Sequence, residues 1–211
     1  MRIIISALIA VCAHTTSAQT TTAPIDAGTQ KPSEHYTRGI THRQQGLHTL
    51  ALEAFDAAIA ANASHIDAYG ERGITLMMLG RFSDAIPDFS TVIDAQPRVT
   101  YAYYNRGLCY ELIGLDDLAI EDITKSIELE PRAEFRYERR ATIYFRKKQL
   151  DLALADYEQA LVINPKYAAA LYGRGTIKQK KGDMAGGGAD IEAAMRFRKT
   201  IAIEMARSGV R

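Results

Sequence analysis

Three histidines near the start of the chain are the first residues whose spacing could support chemistry. His35, His42 and His48 lie close together in sequence, and His35 and His42 are seven residues apart, which places them on one face of a helix. Imidazole nitrogens bind Zn²⁺, but a closed site needs four ligands. No well-placed fourth ligand accompanies these three, so the sequence favours packing or surface roles for them and predicts no metal.

Other residues that could take part in catalysis lack the partners that catalysis needs. Gly186-Gly187-Gly188 is not followed by the Lys-Ser/Thr that a phosphate-binding loop requires. Asp116-Asp117 is predicted to lie in a turn between helices, solvated rather than acting as an acid–base pair. The sequence contains no nucleophile elbow and no cysteine pair for zinc. It therefore predicts a non-enzymatic protein without a cofactor.

The sequence has two cysteines, Cys12 and Cys109. Cys109 stands between Leu108 and Tyr110, and neither neighbour supplies the positive charge that activates a thiol. We therefore predict that Cys109 is a small buried apolar residue. If Cys12 is removed with an N-terminal leader, no intrachain disulfide can form and stability depends on the core alone.

Residues 1–18 have the pattern of a secretory signal peptide. Arg2 precedes an apolar run at residues 3–11, and small residues follow, with cleavage expected before Gln19 or earlier, after Ala13. The run is too short for a stable anchor, so no integral membrane segment is expected after cleavage. Lipid attachment at Cys12 is a weaker alternative, because the residue before it is bulky. We predict bacterial export to a periplasmic or secreted location, with residues 19–31 as a flexible linker.

Charged–small residue pairs recur every 34 residues along the rest of the chain. They are Arg38-Gly39, Arg72-Gly73, Arg106-Gly107, Arg140-Ala141 and Arg174-Gly175. Small residues repeat with the same period at Ala51, Ala85, Ala119, Ala153 and Gly187, and large ones at Phe55, Phe89, Ile123, Tyr157 and Ile191. Pro97, Pro131 and Pro165 close three of the units. This period and punctuation are typical of a helix–turn–helix repeat.

Over residues 32–199 the chain resembles the tetratricopeptide repeat family. The resemblance implies an all-α solenoid of five helix–turn–helix repeats in a right-handed superhelix, at about 32–65, 66–99, 100–133, 134–167 and 168–199. After the last repeat we expect one long helix over residues 190–207 that caps the stack, with residues 200–211 forming its end and a tail.

The predicted turns between paired helices carry glycine at Gly46, Gly80, Gly114 and Gly182, where a left-handed backbone is expected. Lys148 occupies this position in the fourth unit, at a cost of roughly 1 kcal/mol if its backbone is left-handed. Pro87 falls inside a predicted helix that starts near Ser83, which places it at the edge of the first turn.

An aspartate follows four of the repeated arginines at a distance of sixteen residues. The pairs are Arg72 and Asp88, Arg106 and Asp122, Arg140 and Asp156, and Arg174 and Asp190. We predict that each pair joins the two helices of one unit. Ala54 stands at this position in the first unit, so Arg38 needs another partner or solvent. An arginine ladder for an anionic ligand is disfavoured, because the aspartates would neutralise it.

The resemblance also implies a concave surface lined mainly by the first helix of each unit. Its aromatic, methionine and charged residues suit an extended or helical peptide with apolar anchors. Asn105 and Arg139 match residues with which some family members hold a C-terminal carboxylate, whereas Tyr36, Ile40 and Phe135 replace other residues of that clamp. Packing between repeats is the alternative role for part of this set. The candidate residues are Tyr36, Ile40, Arg43, Met77, Met78, Tyr101, Tyr104, Asn105, Leu108, Glu111, Phe135, Arg139, Phe145, Arg146, Tyr172, Gln179 and Lys180.

Charge is unevenly distributed although the formal net charge is only +1. Residues 19–130 hold 8 Lys and Arg against 16 Asp and Glu, and residues 131–211 hold 17 against 9. An overall attraction to nucleic acid is not expected. The sequence predicts a scaffold or adaptor of the cell envelope that binds a protein or peptide partner. The alternatives are a cell-wall or anionic-polymer factor that uses the basic C-terminal half, and head-to-tail homo-association.

Overall fold

The computed structural model describes residues 31–211, which form eleven α-helices and no β-strand. The predicted signal peptide and residues 19–30 of the predicted linker lie outside the described residues. The helices are α1 (Pro32–Gln44), α2 (His48–Ala61), α3 (Ile66–Met78), α4 (Phe82–Ala95), α5 (Thr100–Leu112), α6 (Asp116–Leu129), α7 (Glu134–Arg146), α8 (Leu150–Ile163), α9 (Ala168–Lys180), α10 (Met184–Phe197) and α11 (Ile201–Arg207). Within this range no helix combines the length and the apolarity that crossing a membrane requires. The predicted all-α fold is confirmed.

The described chain divides into two compact units, residues 31–113 (unit 1) and 114–211 (unit 2). In unit 1, α1 packs on α2 and α3 packs on α4, and α5 packs on α4. In unit 2, α7 packs on α8 and α9 packs on α10, with α6 against α7 and α11 against α9. Consecutive helices thus form hairpins, and each hairpin packs on the next within its unit.

Glycines with positive φ close the turns, as the repeat pattern predicts. Gly46, Gly80, Gly114 and Gly182 have φ values of 75°, 76°, 83° and 95°. At the fourth turn Lys148 has φ 60°, so this lysine adopts the left-handed conformation without the freedom of glycine. In four of these turns, the N–H of the residue after the positive-φ residue donates to the carbonyl five residues earlier. Gln149 N, for example, donates to the Tyr144 carbonyl at 2.9 Å.

Aromatic rings fill the space between the helices of a hairpin because the facing residue has no side chain. Phe55 and Phe89 are fully buried. A Cβ at Gly39 would lie 2.5 Å from the Phe55 ring, and one at Gly73 would lie 3.0 Å from the Phe89 ring. The small residues of the repeat therefore set the close approach between paired helices.

Three of the four predicted arginine–aspartate pairs form two-pronged ion pairs within a hairpin. The Nη2–Oδ1 distances are 2.6 Å for Arg72–Asp88, 2.7 Å for Arg140–Asp156 and 2.7 Å for Arg174–Asp190, each accompanied by an Nε bond. All three carboxylates are buried. Arg106 and Asp122 belong to different units, so their pair stays a prediction. In the first hairpin, Arg38 lies 3.0 Å from His35 Nδ1 instead.

The same arginines also bind the preceding hairpin, a role that the sequence analysis missed. Arg72 donates to Asp56 at 2.7 Å, Arg106 donates to Ser90 at 3.0 Å and Arg140 donates to Thr124 at 2.8 Å. Each acceptor lies sixteen residues before its arginine. The signal was present, since the polar residues Asp56, Ser90, Thr124 and Glu158 are also 34 residues apart. Arg72 and Arg140 therefore link three helices each.

The prediction of one long terminal helix is wrong. The chain leaves the helix at Arg198, which is extended at φ −146° and ψ 103°, and α11 starts three residues later. The residues that directly follow α2, α4, α6 and α8 are Asn62, Gln96, Glu130 and Asn164, and Arg198 continues this series of 34 after α10. Ile201 and Met205 of α11 are buried in the core of unit 2.

Pro87 was also misplaced. It is the sixth residue of α4, not at the edge of its first turn, because α4 begins at Phe82. Proline has no N–H, so the Ser83 carbonyl lacks the usual donor four residues later.

Candidate functional site

Aromatic and charged side chains from three first helices meet in unit 1. This cluster, the unit 1 cluster, consists of Tyr36 and Arg43 of α1, Asp67 and Glu71 of α3, and Tyr101 of α5. Arg43 Nη2 lies 2.9 Å from Glu71 Oε2. The two tyrosines interact electrostatically with Glu71 and with Asp67. The cluster brings together three of the residues predicted from the sequence, Tyr36, Arg43 and Tyr101.

A glycine in the middle of α3 makes room for one of these tyrosines. The Tyr101 hydroxyl occupies the space that a Cβ at Gly70 would need. Tyr36, Tyr104 and Tyr172 stand at the position that Gly70 takes in its own repeat. A helix-interior glycine costs about 1 kcal/mol relative to alanine, so this geometry is stabilised elsewhere. The sequence analysis missed Gly70, although its departure from the repeat could have revealed it.

Both tyrosines of the unit 1 cluster stay protonated at neutral pH. Burial, with help from the carboxylates of Glu71 and Asp67, raises the pKa of Tyr36 and of Tyr101 to about 12 in each case. Burial also raises the pKa of Glu71, although Arg43 opposes this effect. The hydroxyls are therefore able to donate hydrogen bonds to an acceptor.

Two buried donors beside the unit 1 cluster have no hydrogen-bond acceptor within the described residues. They are Asn105 Nδ2 and Arg43 Nε. Asn105 is only 5% exposed and lies one helical turn after Tyr101 on α5. A buried donor left unsatisfied costs about 1–3 kcal/mol. Both atoms are closed to solvent, so an acceptor from outside the described chain would reach them only after the side chains that cover them move.

The other predicted residues of unit 1 differ in exposure. Ile40, Met78 and Glu111 are half-buried and remain accessible. Met77, Tyr104 and Leu108 are almost fully buried. Their apolar surface is already in use as packing, which is the alternative that the sequence left open for part of the set.

Unit 2 places a more basic set of side chains on its first helices. Phe135, Arg139, Tyr172 and Gln179 are half-buried. Lys180 is exposed, and its Nζ lies 5.8 Å from the ring centre of Phe145, which is buried. This is a cation–π contact. Lys180 thus covers an aromatic side chain that was predicted to be a partner anchor.

Ion pairs with the preceding helix occupy part of the basic surface of unit 2. Arg146 donates to Asp116 at 2.8 Å, and Lys147 donates to Asp117 at 2.6 Å. Asp116 and Asp117 are the first two residues of α6, so the prediction that they lie in a turn is wrong. Asp116 is half-buried, so the expectation that both are simply solvated is wrong for this residue. Lys181 pairs with Asp151 in the same register, one repeat later.

A buried hydrogen-bonded group on α7 and α8 was not foreseen. Thr142 donates to Glu138 at 3.0 Å, and the Thr142 and Tyr157 hydroxyls are 3.2 Å apart. Burial raises the pKa of Tyr157, with a further contribution from Glu138. Glu138 takes the repeat position of Tyr104, so unit 2 has a buried carboxylate where unit 1 has a buried tyrosine.

The division into units changes the charge distribution inferred from the sequence. Unit 2 holds 18 Lys and Arg against 15 Asp and Glu, because the acidic helix α6 belongs to it. The excess counted over residues 131–211 was larger only because that range begins after α6. Pairs such as Arg146–Asp116 show that α6 and α7 neutralise each other.

The histidines and the cysteine considered for metal or thiol chemistry lie in surroundings that do not suit those roles. Between residues 31 and 211, no three His, Cys, Asp or Glu side chains form a group that could hold a metal ion. His35 contacts Arg38, while the Nδ1 atoms of His42 and His48 are buried. Cys109 is fully buried, and burial raises the pKa of its thiol to about 12.

Comparison with known proteins identifies the family. A sequence profile described as "Tetratricopeptide repeat" matches residues 36–89 and 71–134, and one described as "TPR repeat" matches residues 141–182. The chain therefore belongs to the tetratricopeptide repeat family, whose repeats are generally protein-interaction scaffolds. A search of curated protein sequences gave no significant match.

Solved structures of the same fold share little sequence with the chain. MamA has a TM-score of 0.72 at 22% identity, over 78% of this chain and 96% of that one. MamA from Desulfovibrio magneticus RS-1 gives 0.63 at 23% identity, over 64% and 76%. YrrB, described as "a TPR protein with an unusual peptide-binding site", gives 0.69 at 16% identity, over 82% and 90%. At these identities the likeness establishes the fold.

Proposed function

We propose that the protein is a non-catalytic scaffold or adaptor that binds a protein or peptide partner along its first helices. Five repeats with the boundaries given by the 34-residue period, and export to the cell envelope, are part of this proposal. Tetratricopeptide repeats and the peptide-binding site in the description of YrrB support the general role. The unit 1 cluster supplies the particular surface.

The observation that carries this proposal is the pair of buried, unsatisfied donors beside the two tyrosines. Asn105 Nδ2 and Arg43 Nε have no acceptor within the described residues, and Tyr36 and Tyr101 add two protonated hydroxyls. An extended peptide carries one carbonyl acceptor per residue and side chains that alternate in direction. Its main chain would accept from the hydroxyls of the half-buried tyrosines, and from the two buried donors once the side chains that cover them move, while its side chains contact the aromatic rings.

Affinity capture from a cell-envelope extract tests this surface. The bait is the full chain, compared with Asn105→Ala and with Tyr36→Ala. Tyr104→Ala and Phe145→Ala would not serve here, because each removes a large packed side chain at a cost of about 3–5 kcal/mol of stability. We expect the specific partner to be reduced about tenfold or more in each groove variant, as for a lost hot-spot contact.

Asn62→Ala is the matched control, since Asn62 is an exposed asparagine at the end of α2. It should capture the partner as the unsubstituted chain does. Full capture by both Asn105→Ala and Tyr36→Ala, with unchanged circular dichroism, would place the partner elsewhere.

Homo-association is the second partner relation that we propose, with a second copy bound along the same first helices. The cell-wall or anionic-polymer alternative has less support, because the positive excess of unit 2 is small once α6 is included. Sedimentation of the full chain at increasing concentration tests homo-association, and a constant molecular mass equal to the monomer would exclude it.

A further inference from the structure

The corner between α10 and α11 exposes three large apolar side chains. Met195 is 45% exposed, Phe197 is 52% exposed and Ile203 is 59% exposed. Three of the counterparts of Met195 in earlier repeats, Ile93, Ile127 and Leu161, are 7% or 8% exposed. Single exposed apolar side chains are common, whereas an apolar group rimmed by charged residues marks a docking surface.

Buried residues of α11 anchor the α10–α11 corner to the core of unit 2. Ile201 and Met205 of α11 are 1% and 3% exposed, within the core of unit 2. Ile203 lies between them in sequence, so it projects from the opposite face of the helix. Arg198 and Glu204 bridge the turn at 3.0 Å. The apolar residues therefore project from an anchored element.

The positive charge of unit 2 is concentrated in the same segment. Residues 195–211 hold 5 Lys and Arg and one acid, Glu204. Residues 114–194 hold 13 Lys and Arg and 14 Asp and Glu, so they carry no positive excess. Lys199 and Arg207 are exposed, and so is Arg196, whose Nη2 lies 3.5 Å from Glu192 Oε1 of the preceding turn. The segment thus alternates projecting apolar and cationic side chains.

The N-terminal helix shows that an exposed helix need not have this composition. Glu34 and Thr41 of α1 are exposed, whereas their counterparts in the next repeat, Ala68 and Thr75, are fully buried. At α1 the chain thus presents polar residues to solvent. At the α10–α11 corner it presents Phe, Met and Ile together with arginine and lysine.

We propose that the α10–α11 corner docks on an anionic phospholipid bilayer surface. Phe197 and Ile203 would enter the boundary between head groups and acyl chains, while the surrounding cations contact anionic head groups. Long Lys and Arg stems allow their charges to remain at the head-group level. The docking is peripheral, and it would hold the scaffold at a membrane while its first helices remain available.

Charge favours a lipid surface over a symmetric contact with a second copy of the chain. In a symmetric dimer the same patch faces itself, so the net charge of +4 on residues 195–211 of one copy (5 Lys and Arg less one Glu) would oppose the same charge on the other. An anionic bilayer instead offers opposite charge to the cations. Each Lys or Arg near such a surface contributes about fivefold in affinity.

A single tryptophan tests the proposal directly, because the natural sequence contains none. The full chain carrying Phe197→Trp is mixed with vesicles of phosphatidylcholine alone, or with phosphatidylglycerol as about one third of the lipid. Val162→Trp is the control, since Val162 is an exposed apolar residue of α8. The indole reports only its own position, so binding of the apolar run at residues 3–11 to vesicles does not interfere.

We expect the Phe197→Trp emission to shift to shorter wavelength with anionic vesicles and to stay unchanged with neutral ones, while Val162→Trp shows no shift. No shift with anionic vesicles, or an equal shift with both kinds, would overturn the proposal. A shift that appears without lipid as protein concentration rises would also overturn it, because a second copy would then cover the corner.

Charge variants in the Phe197→Trp chain complete the test. Lys199→Gln and Arg207→Gln should each weaken binding to anionic vesicles by about fivefold. Lys166→Gln is the matched control, since Lys166 is exposed in unit 2 but lies outside residues 195–211, and it should have no effect. Equal binding of all three variants would contradict the role of the corner cations.

Discussion

Lys148 is a residue whose backbone conformation conflicts with its side chain. Its φ of 60° is the only positive value for a non-glycine residue within the described chain. We expect Lys148→Gly to raise the free energy of unfolding by about 1 kcal/mol, because glycine adopts this conformation without the Cβ contact. Urea unfolding monitored by circular dichroism measures the change.

The reciprocal substitution provides the control at an equivalent turn. Gly80 has φ 76° and nothing within 4 Å of an added Cβ, so Gly80→Ala changes the backbone preference without a clash. It should lower stability by about 1 kcal/mol. A Lys148→Gly variant that is no more stable than the natural chain would show that this turn is not strained.

Cys109 should be unreactive in the folded protein. Burial raises the pKa of its thiol to about 12, so at pH 8 almost no thiolate is present, and the side chain is inaccessible. In a Cys12→Ser chain, we expect a disulfide reagent to modify Cys109 only as fast as the protein unfolds. Rapid stoichiometric modification without denaturant would contradict this environment.

At the scale of helices, the repeated arginine is a connector between hairpins. Arg140 binds the buried Asp156 of its own hairpin and Thr124 of the preceding helix. Arg140→Met leaves a buried carboxylate without its partner, so we expect a loss of about 3 kcal/mol in unfolding free energy. Denaturant unfolding of the variant measures this loss.

Arg81→Met is the comparison, because the Arg81–Asp84 pair is exposed on both sides. Exposed ion pairs contribute about 0–1 kcal/mol, so this variant should be close to neutral. Similar losses for Arg81→Met and Arg140→Met would mean that burial does not decide the strength of these pairs.

The elements that repeat could be predicted from the sequence, and those that occur once could not. The 34-residue period identified the hairpins, the turn glycines, and an arginine–aspartate pairing that was confirmed in three hairpins. The break at Arg198 was missed because apolar spacing continues across it, and only the register of earlier helix ends marks it. Tyr101 over Gly70 depends on three-dimensional packing, which spacing alone does not reveal.

At the scale of the whole molecule, two surfaces of different chemistry have separate proposed roles. The unit 1 cluster combines tyrosines, an ion pair and unsatisfied donors, which suit a peptide main chain. The α10–α11 corner combines exposed apolar residues with cations, which suit an anionic bilayer. Neither role depends on the other, so each variant set should affect only one of the two binding activities.

The most direct test of the central claim is photo-cross-linking of the partner from individual positions. A photoreactive phenylalanine analogue replaces Tyr36 or Tyr172 on first helices, or Leu50 or Leu152 on second helices, where the leucines are exposed. Partner binding along the first helices predicts cross-links from Tyr36 and Tyr172 and none from the two leucine positions. Cross-links from Leu50 and Leu152 alone would contradict the proposed binding surface.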